Sequence, residues 1–387
     1  MFYTCLADNH EQCSHGHQAE SDDSSVGDET GAPATDAGTQ PSGHRVGTRA
    51  LRVDMHCHYL NNAAAAQAAP LKPFEKEPSI VYANAQTRAI NMDQMKVRGP
   101  KLSNIDVRLS DMDRMGIDVQ AISPAPAQYY YYAEPAFGLE LAKKINDDIA
   151  GIAASHPKRF VGLGSVPLQN AELATSELVR CVKELDLRGV EIGTNVNGVD
   201  LADRHLGLDK FFAKAEELGV LVFLHPMGFT HADRMTDYYF NNIIGNPLES
   251  TLAVAHLIFG GVLDRFPRLK FCVAHGGGYM AHAYARMDHG WKVRPDAQTA
   301  IKKRPSSYLK KFYFDTVTFD AELLSSLIGK FGANRVMMGS DYPFDMGDEN
   351  PVTLVEGVAR LSLAEREQIM GGNAAKLLNI RPARIRC

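Results

Sequence analysis

A closed (β/α)8 barrel of the TIM type is the fold class that the sequence predicts, and three observations point to it. Eight short apolar runs, rich in β-branched residues, recur between residues 51 and 341. Most intervals between them hold an amphipathic helical stretch, and alternating β and α units imply a parallel sheet. The runs show little in–out alternation, as expected of strands buried on both faces. Eight such units over ~250 residues or more suit closure into a barrel. A doubly wound open sheet is the competing architecture, but it carries a glycine-rich phosphate turn after its first strand. None follows His58.

Taken in order, the chain starts with a segment rich in Ser, Thr, Gly, Asp and Pro and poor in large apolar residues. It cannot bury enough surface to offset its ordering entropy, so residues 1–50 are read as a disordered polar tail. His10, Cys13, His15 and His17 give the tail a metal-binding flavour, but incidental histidines are the plainer reading. Residues 51–387 are read as the barrel domain. Its first run, Leu51–His58, leads into a long, irregular, alanine- and proline-bearing segment over residues 59–104. That segment leaves the C-terminal end of strand one, where a barrel builds its site, and is read as an insertion or lid. The later runs are Val119–Ser123, Phe160–Val166, Gly189–Gly193, Val220–His225, Lys270–His275, Phe312–Val317 and Val336–Asp341. Helical stretches are expected at Glu134–Ser155, Ala171–Leu185, Leu208–Leu218 and Pro247–Arg265.

Composition narrows the partners. A formal charge of −5 over 387 residues gives no reason to expect nucleic acid or an anionic membrane. No stretch is long and apolar enough to span a bilayer, and the N-terminus lacks the basic flank of a signal peptide. The six cysteines form no CxxC pair, and Cys57, Cys181 and Cys272 lie in apolar segments. A reducing, cytoplasmic setting is the simplest expectation.

The chemistry lies at the ends of the runs. Alternate residues of an extended chain share a face, so His56 and His58 point the same way. His225 ends run five, His275 ends run six and Asp341 ends run eight. In a (β/α)8 barrel all five converge on the C-terminal mouth. As core residues each would need its own buried hydrogen-bond partner. A metal site explains them together, with His56, His58, His225 and Asp341 as ligands and one position left for water or substrate. Three imidazoles and a carboxylate suit Zn²⁺, with Mn²⁺, Fe²⁺ or Co²⁺ as alternatives. Strand four ends Val190-Glu191-Ile192-Gly193 without the lysine that often bridges a second ion, so one metal is expected. His275 is then free to act as a general acid/base, and Asp341 serves both as ligand and as a catalytic carboxylate. The glycines Gly276, Gly277 and Gly278 after it would let the backbone approach a ligand. A serine hydrolase is excluded, because no G-x-S-x-G elbow accompanies the His-Gly-Gly-Gly string.

With these residues in view, the chain resembles the amidohydrolase superfamily, and within it the aminocarboxymuconate-semialdehyde decarboxylase branch. The likeness rests on Val53-Asp-Met-His56-Cys-His58, the stretch from Arg108 to Gln120, the stretch from Arg159 to Gln169, Gly189-Val-Glu-Ile-Gly-Thr194, His225-Pro226, Ala274-His275-Gly-Gly-Gly278, Gly339-Ser-Asp341-Tyr-Pro-Phe344 and Gly372-Asn-Ala374. The resemblance implies a Zn²⁺-dependent, non-oxidative decarboxylase without an organic cofactor, using the same ligands and His275. It also implies two arginines for substrate carboxylates. Arg286 matches one, which reaches a neighbouring subunit's site and so implies a homodimer. Arg98 matches the other, with Arg88 as the alternative through the variable segment. The chain departs from the branch at His225-Pro226-Met227, where tryptophan commonly follows the proline. It departs again in residues 59–104 and in the Tyr129–Tyr132 run.

The expected substrate is a small aromatic or muconate-like carboxylic acid, gripped by arginine in bidentate fashion. The rival readings are a metal-dependent hydrolase or hydratase on the same site, and a barrel retained only for binding. The full ligand set speaks against the last.

Overall fold

The computed structural model describes residues 48–380 and 385–386. The tail up to residue 47, with His10, Cys13, His15 and His17, lies outside the described residues.

Eight parallel strands build the barrel. They are β1 (Val53–Tyr59), β2 (Val119–Pro124), β3 (Phe160–Gly162), β4 (Gly189–Ile192), β5 (Leu221–Leu224), β6 (Lys270–Val273), β7 (Tyr313–Asp315) and β8 (Val336–Met337). The ladder runs β1-β2-β3 in one stretch and β4-β5-β6-β7-β8 in the other. Two single bridges join the stretches: Gly164 with Val190, and Cys57 with Tyr342. Backbone bonds from Met55 N to Met338 O (2.8 Å) and from His58 N to Tyr342 O (2.8 Å) complete the closure. Several predicted runs are longer than the regular strands, and β5, β6 and β8 end before His225, His275 and Asp341.

Helices cover the outside. The main ones are α1 (Asn62–Ala68), α2 (Ala85–Ser103), α3 (Ile105–Met115), α4 (Pro135–Ser155), α5 (Ala171–Lys183), α6 (Asp209–Leu218), α7 (Asn246–Phe259), α8 (Met280–Val293) and α9 (Ala321–Phe331). Side-chain caps start several of them: Asn170 accepts from Leu173 N, and Asp320 accepts from Glu322 N and Leu323 N. No helix among the described residues is long and apolar enough to cross a membrane.

Alternation sorts the strand residues. Val190, Ile192, Val222, Leu224 and Phe314 join the outer core under the helices. Leu221, Phe223, Cys272, Ala274 and Met337 belong to a second cluster that fills the interior. β1 changes faces midway. Val53 and Met55 pack with the interior cluster, whereas Cys57 and Tyr59 pack outside. A register break between Asp54 and Cys57 makes the swap and turns His56 and His58 toward the mouth. Cys57, Cys181 and Cys272 are buried free thiols, as their segments implied.

Residues 59–104 correct the expectation of an irregular segment. They hold α1, short 3₁₀ turns and the 19-residue α2. The pattern is weak because α2 buries only Thr87 and Leu102 and carries Pro100 near its end. The insertion does reach the mouth side. A Cβ on Gly228, three residues after His225, would lie 2.8 Å from Ser79 N, and Asn241 Nδ2 donates to Pro78 O at 2.8 Å.

Candidate metal centre

The mouth gathers all five sequence-predicted residues. His56 and His58 lie on β1, His225 follows β5, His275 follows β6 by two positions and Asp341 lies beyond β8. His56 and His58 are fully buried, and His225 and Asp341 are each 4 % exposed. His56 Nε2 and His58 Nε2 are 3.0 Å apart. Asp341 Oδ1 lies 3.0 Å from His58 Nε2, 3.2 Å from His56 Nε2 and 3.9 Å from His225 Nε2. His275 Nε2 lies 3.3 Å from the other oxygen, Asp341 Oδ2. His56, His225, His275 and Asp341 each offer one atom, all within 4.8 Å of one another.

The donor set can be tested for a cation from its outer contacts. His56 Nδ1 is 2.6 Å from Asp315 Oδ2, and His58 Nδ1 is 3.2 Å from Pro124 O. An ionised carboxylate and a carbonyl oxygen can only accept, so each Nδ1 carries a proton. A neutral ring then presents a bare Nε2 lone pair. Two such nitrogens and a carboxylate oxygen, mutually 3.0–3.2 Å apart, repel unless positive charge lies among them. Both nitrogens of His225 are buried without a hydrogen-bond partner, which leaves them free to ligate. The residues therefore fit a divalent ion of the zinc or manganese kind.

The electrostatics agree. Burial disfavours ionisation of Asp341, but His56 and hydrogen bonds from His275, His56 and His58 hold its carboxyl well below the usual range. Burial also disfavours a charged His56, yet the carboxylates of Asp341 and Asp315 raise it well above an ordinary imidazole. Without a metal, a proton on His56 supplies the missing positive charge. Burial and then the neighbouring His58, His56 and His275 hold His225 neutral, its ligating form.

Local backbone aims these groups. Asp341 and His275 both adopt left-handed φ, +58° and +56°, conformations that non-glycine residues hold mainly where surroundings enforce them. The glycines after His275 pack closely against protein. A Cβ on Gly277 would meet Phe314 at 2.4 Å, and one on Gly278 would meet Pro247 O at 2.2 Å.

Of the arginines, Arg98 reaches the rim. Its Nη1 donates to Pro343 O (2.7 Å) and Phe344 O (3.1 Å), and the Phe344 ring lies 5.1 Å from that of His58. Arg88 instead donates to Ala83 O, just before the start of its own helix. Arg286 is exposed on α8 and makes no hydrogen bond or ion pair among the described residues.

Three buried polar residues escaped the sequence reading. Asp315 ends β7 behind His56. Glu191 on β4 accepts from Tyr129 OH at 2.6 Å, and its Oε2 lies 3.7 Å from His58 Nδ1. Arg108, fully buried, donates to His58 O and Gln120 and lies over the Tyr342 ring. Asp315 and Glu191 each interrupt an apolar run, whereas Arg108 lies within helix α3. The tyrosine run both packs and bonds: Tyr129 and Tyr131 stack at 5.5 Å, Tyr129 OH donates to Glu191, and Tyr131 OH accepts from Gly193 N at 3.0 Å.

The comparisons with known proteins follow the same line. The family model described as Amidohydrolase matches residues 53–380. A curated relative, 2-amino-3-carboxymuconate-6-semialdehyde decarboxylase of Dictyostelium discoideum, is 40% identical over 278 residues, covering 72% of this chain and 77% of the relative. Gamma-resorcylate decarboxylase of a Polaromonas species is 29% identical over 74% of this chain and 91% of its own length. Among solved structures, 5-carboxyvanillate decarboxylase from Sphingomonas paucimobilis shares the fold with a TM-score of 0.75 at 24% identity, covering 86% of this chain and all of that one. The 5-carboxyvanillate decarboxylase of Novosphingobium aromaticivorans, solved with manganese and 4-hydroxy-3-methoxy-5-nitrobenzoic acid, has a TM-score of 0.76 at 21% identity over 87% of this chain and 98% of its own. By the span of the family model and the identity to the first of these relatives, the chain belongs to the amidohydrolase family.

Proposed function

We propose that this chain is a metal-dependent, non-oxidative decarboxylase of a small aromatic or muconate-like carboxylic acid. The observation that carries the metal reading is the meeting of the His56 and His58 Nε2 atoms, the His225 ring and Asp341 Oδ1 at one buried point. The named activities of the relatives carry the choice of decarboxylation. Zn²⁺ is the ion proposed for these four ligands, with Mn²⁺, Fe²⁺ and Co²⁺ as competitors.

A bound ion would supply a Lewis acid that polarises substrate oxygens and activates water. His275 manages the proton. The carbon–carboxylate bond breaks, carbon dioxide leaves, and the bonding electron pair stays on the substrate carbon. That carbon takes the proton held by His275 Nε2, and the imidazole regains one from solvent through its 14 % exposed side chain. Asp341 Oδ2 orients the ring at 3.3 Å. Arg98 binds a substrate carboxylate at the rim. Arg286 serves the site of a second copy in a homodimer, which accounts for an exposed arginine without a hydrogen-bond or ion-pair partner among the described residues. Residues 51–387 act as one catalytic domain, with residues 59–104 as its lid, in a cytoplasmic setting.

The test combines metal quantitation with a panel of benzoic and muconic acids, followed by ultraviolet absorbance and carbon dioxide release. Release of one carbon dioxide per substrate supports the reading. Uptake of water without carbon dioxide would make the protein a hydrolase or hydratase.

A further inference from the structure

We infer that Asp315 is a positioning residue serving both halves of the site, fixing the ring of His56 and the backbone of His275. The inference rests on the metal-centre reading above. Asp315 is fully buried at the end of β7. Its Oδ2 takes His56 Nδ1 at 2.6 Å and His275 N at 2.9 Å. Its Oδ1 takes Gly276 N at 2.7 Å and Val317 N at 3.1 Å. Four donors from β1, the β6 loop and the β7 loop thus converge on two oxygens.

The arrangement does two jobs. Holding the Nδ1 proton of His56 makes Nε2 the atom offered to a cation and raises its basicity toward that cation. The successive N–H groups of His275 and Gly276, with φ of +56° and +60°, form a concavity that closes on the carboxylate. Charge-assisted bonds to that anion offset the left-handed backbone of His275 and set where its ring stands. An asparagine fills the same volume but cannot accept from all four donors, and it carries no charge. With its oxygen in place of Oδ2 it keeps His56 Nδ1 and His275 N but turns its amide group on Gly276 N and Val317 N, and the reverse turn opposes the His56 ring and His275 N. A carboxylate that merely stitched β6 to β7 would change stability and nothing else.

Zn²⁺ affinity by chelator competition, with thermal unfolding of each metal-free protein, separates these roles. Asp315→Asn is expected to weaken Zn²⁺ binding ~10–100-fold. Asn146→Ala is the control, since Asn146 is equally buried and bonded to Ser165 O (2.9 Å) and Glu177 (2.6 Å), on the outer side of the barrel. It is expected to lower stability and leave Zn²⁺ affinity within about twofold, because binding responds to ligand geometry and not to remote destabilisation. A measurement on the unsubstituted chain needs no variant: the Zn²⁺-loaded protein is expected to show an exchange-protected, strongly downfield N–H proton from His56 Nδ1. Wild-type affinity in Asp315→Asn, or absence of that proton signal, would overturn the inference alone. Failure of the wild-type chain to bind Zn²⁺ would overturn the metal reading and this inference with it.

Discussion

His275 Nε2 lies 3.3 Å from Asp341 Oδ2, on the oxygen opposite the one that His56, His58 and His225 approach. The carboxylate is thereby divided, with Oδ1 turned into the ligand set and Oδ2 turned to the histidine proposed as acid/base.

That division predicts the effect of His275→Ala. Turnover should fall at least ~10²–10⁴-fold, the usual contribution of a positioned acid/base. Metal content per chain should stay at the wild-type level. Elemental analysis beside the activity assay checks both, and loss of the metal would make His275 a ligand.

His225→Ala should behave in the opposite way. Both nitrogens of its imidazole are buried without a hydrogen-bond partner among the described residues, so its removal breaks no hydrogen bond there. Divalent-metal affinity should drop by more than ~100-fold, beyond the loss typical of outer contacts. Chelator competition measures it.

Arg98→Ala should raise KM with metal content unchanged. The side chain holds the Pro343 and Phe344 carbonyls at 2.7 and 3.1 Å, and in the proposed role it also meets substrate. Losing charged hydrogen bonds worth roughly 1.5–3 kcal/mol corresponds to about 10–100-fold in kcat/KM. Arg88→Ala, which removes only a contact to Ala83 O, should leave kinetics unaltered and serves as the comparison.

Glu77 makes stability depend on pH. It is 2 % exposed, accepts from Tyr132 OH at 3.2 Å, and burial pushes its carboxyl from 4.5 up to about 8. A raised carboxyl means that the folded chain keeps a proton which the unfolded chain gives up. Stability is therefore fully present below pH ~4.5 and is lost progressively up to pH ~8. Glu77→Gln keeps an acceptor for Tyr132 and removes the penalty. It should stabilise the protein by about 2–4 kcal/mol at pH 8–9 and by nothing near pH 4.5. Denaturant unfolding at the two pH values checks the sign.

Much of this site was legible because each ligand closes an apolar run. His56, His58, His225, His275 and Asp341 are polar residues at a repeated depth in a repeated unit, and only a barrel brings such positions together. Asp315 and Glu191 also lie in apolar runs, but their roles come from inter-strand register, which no single run encodes. The face swap within β1 is of the same kind, since it depends on the break between Asp54 and Cys57 in pairing with β2. The helix α2 was hidden for another reason. It rests on the molecule by few buried side chains, so its sequence lacks the stripe that marks a packed helix.

Anomalous diffraction from crystals of the active protein tests the central claim most directly. The account predicts one divalent-ion peak per chain, within bonding distance of His56 Nε2, His58 Nε2, a nitrogen of His225 and Asp341 Oδ1. Fully active crystals with no anomalous peak among these four residues would contradict it.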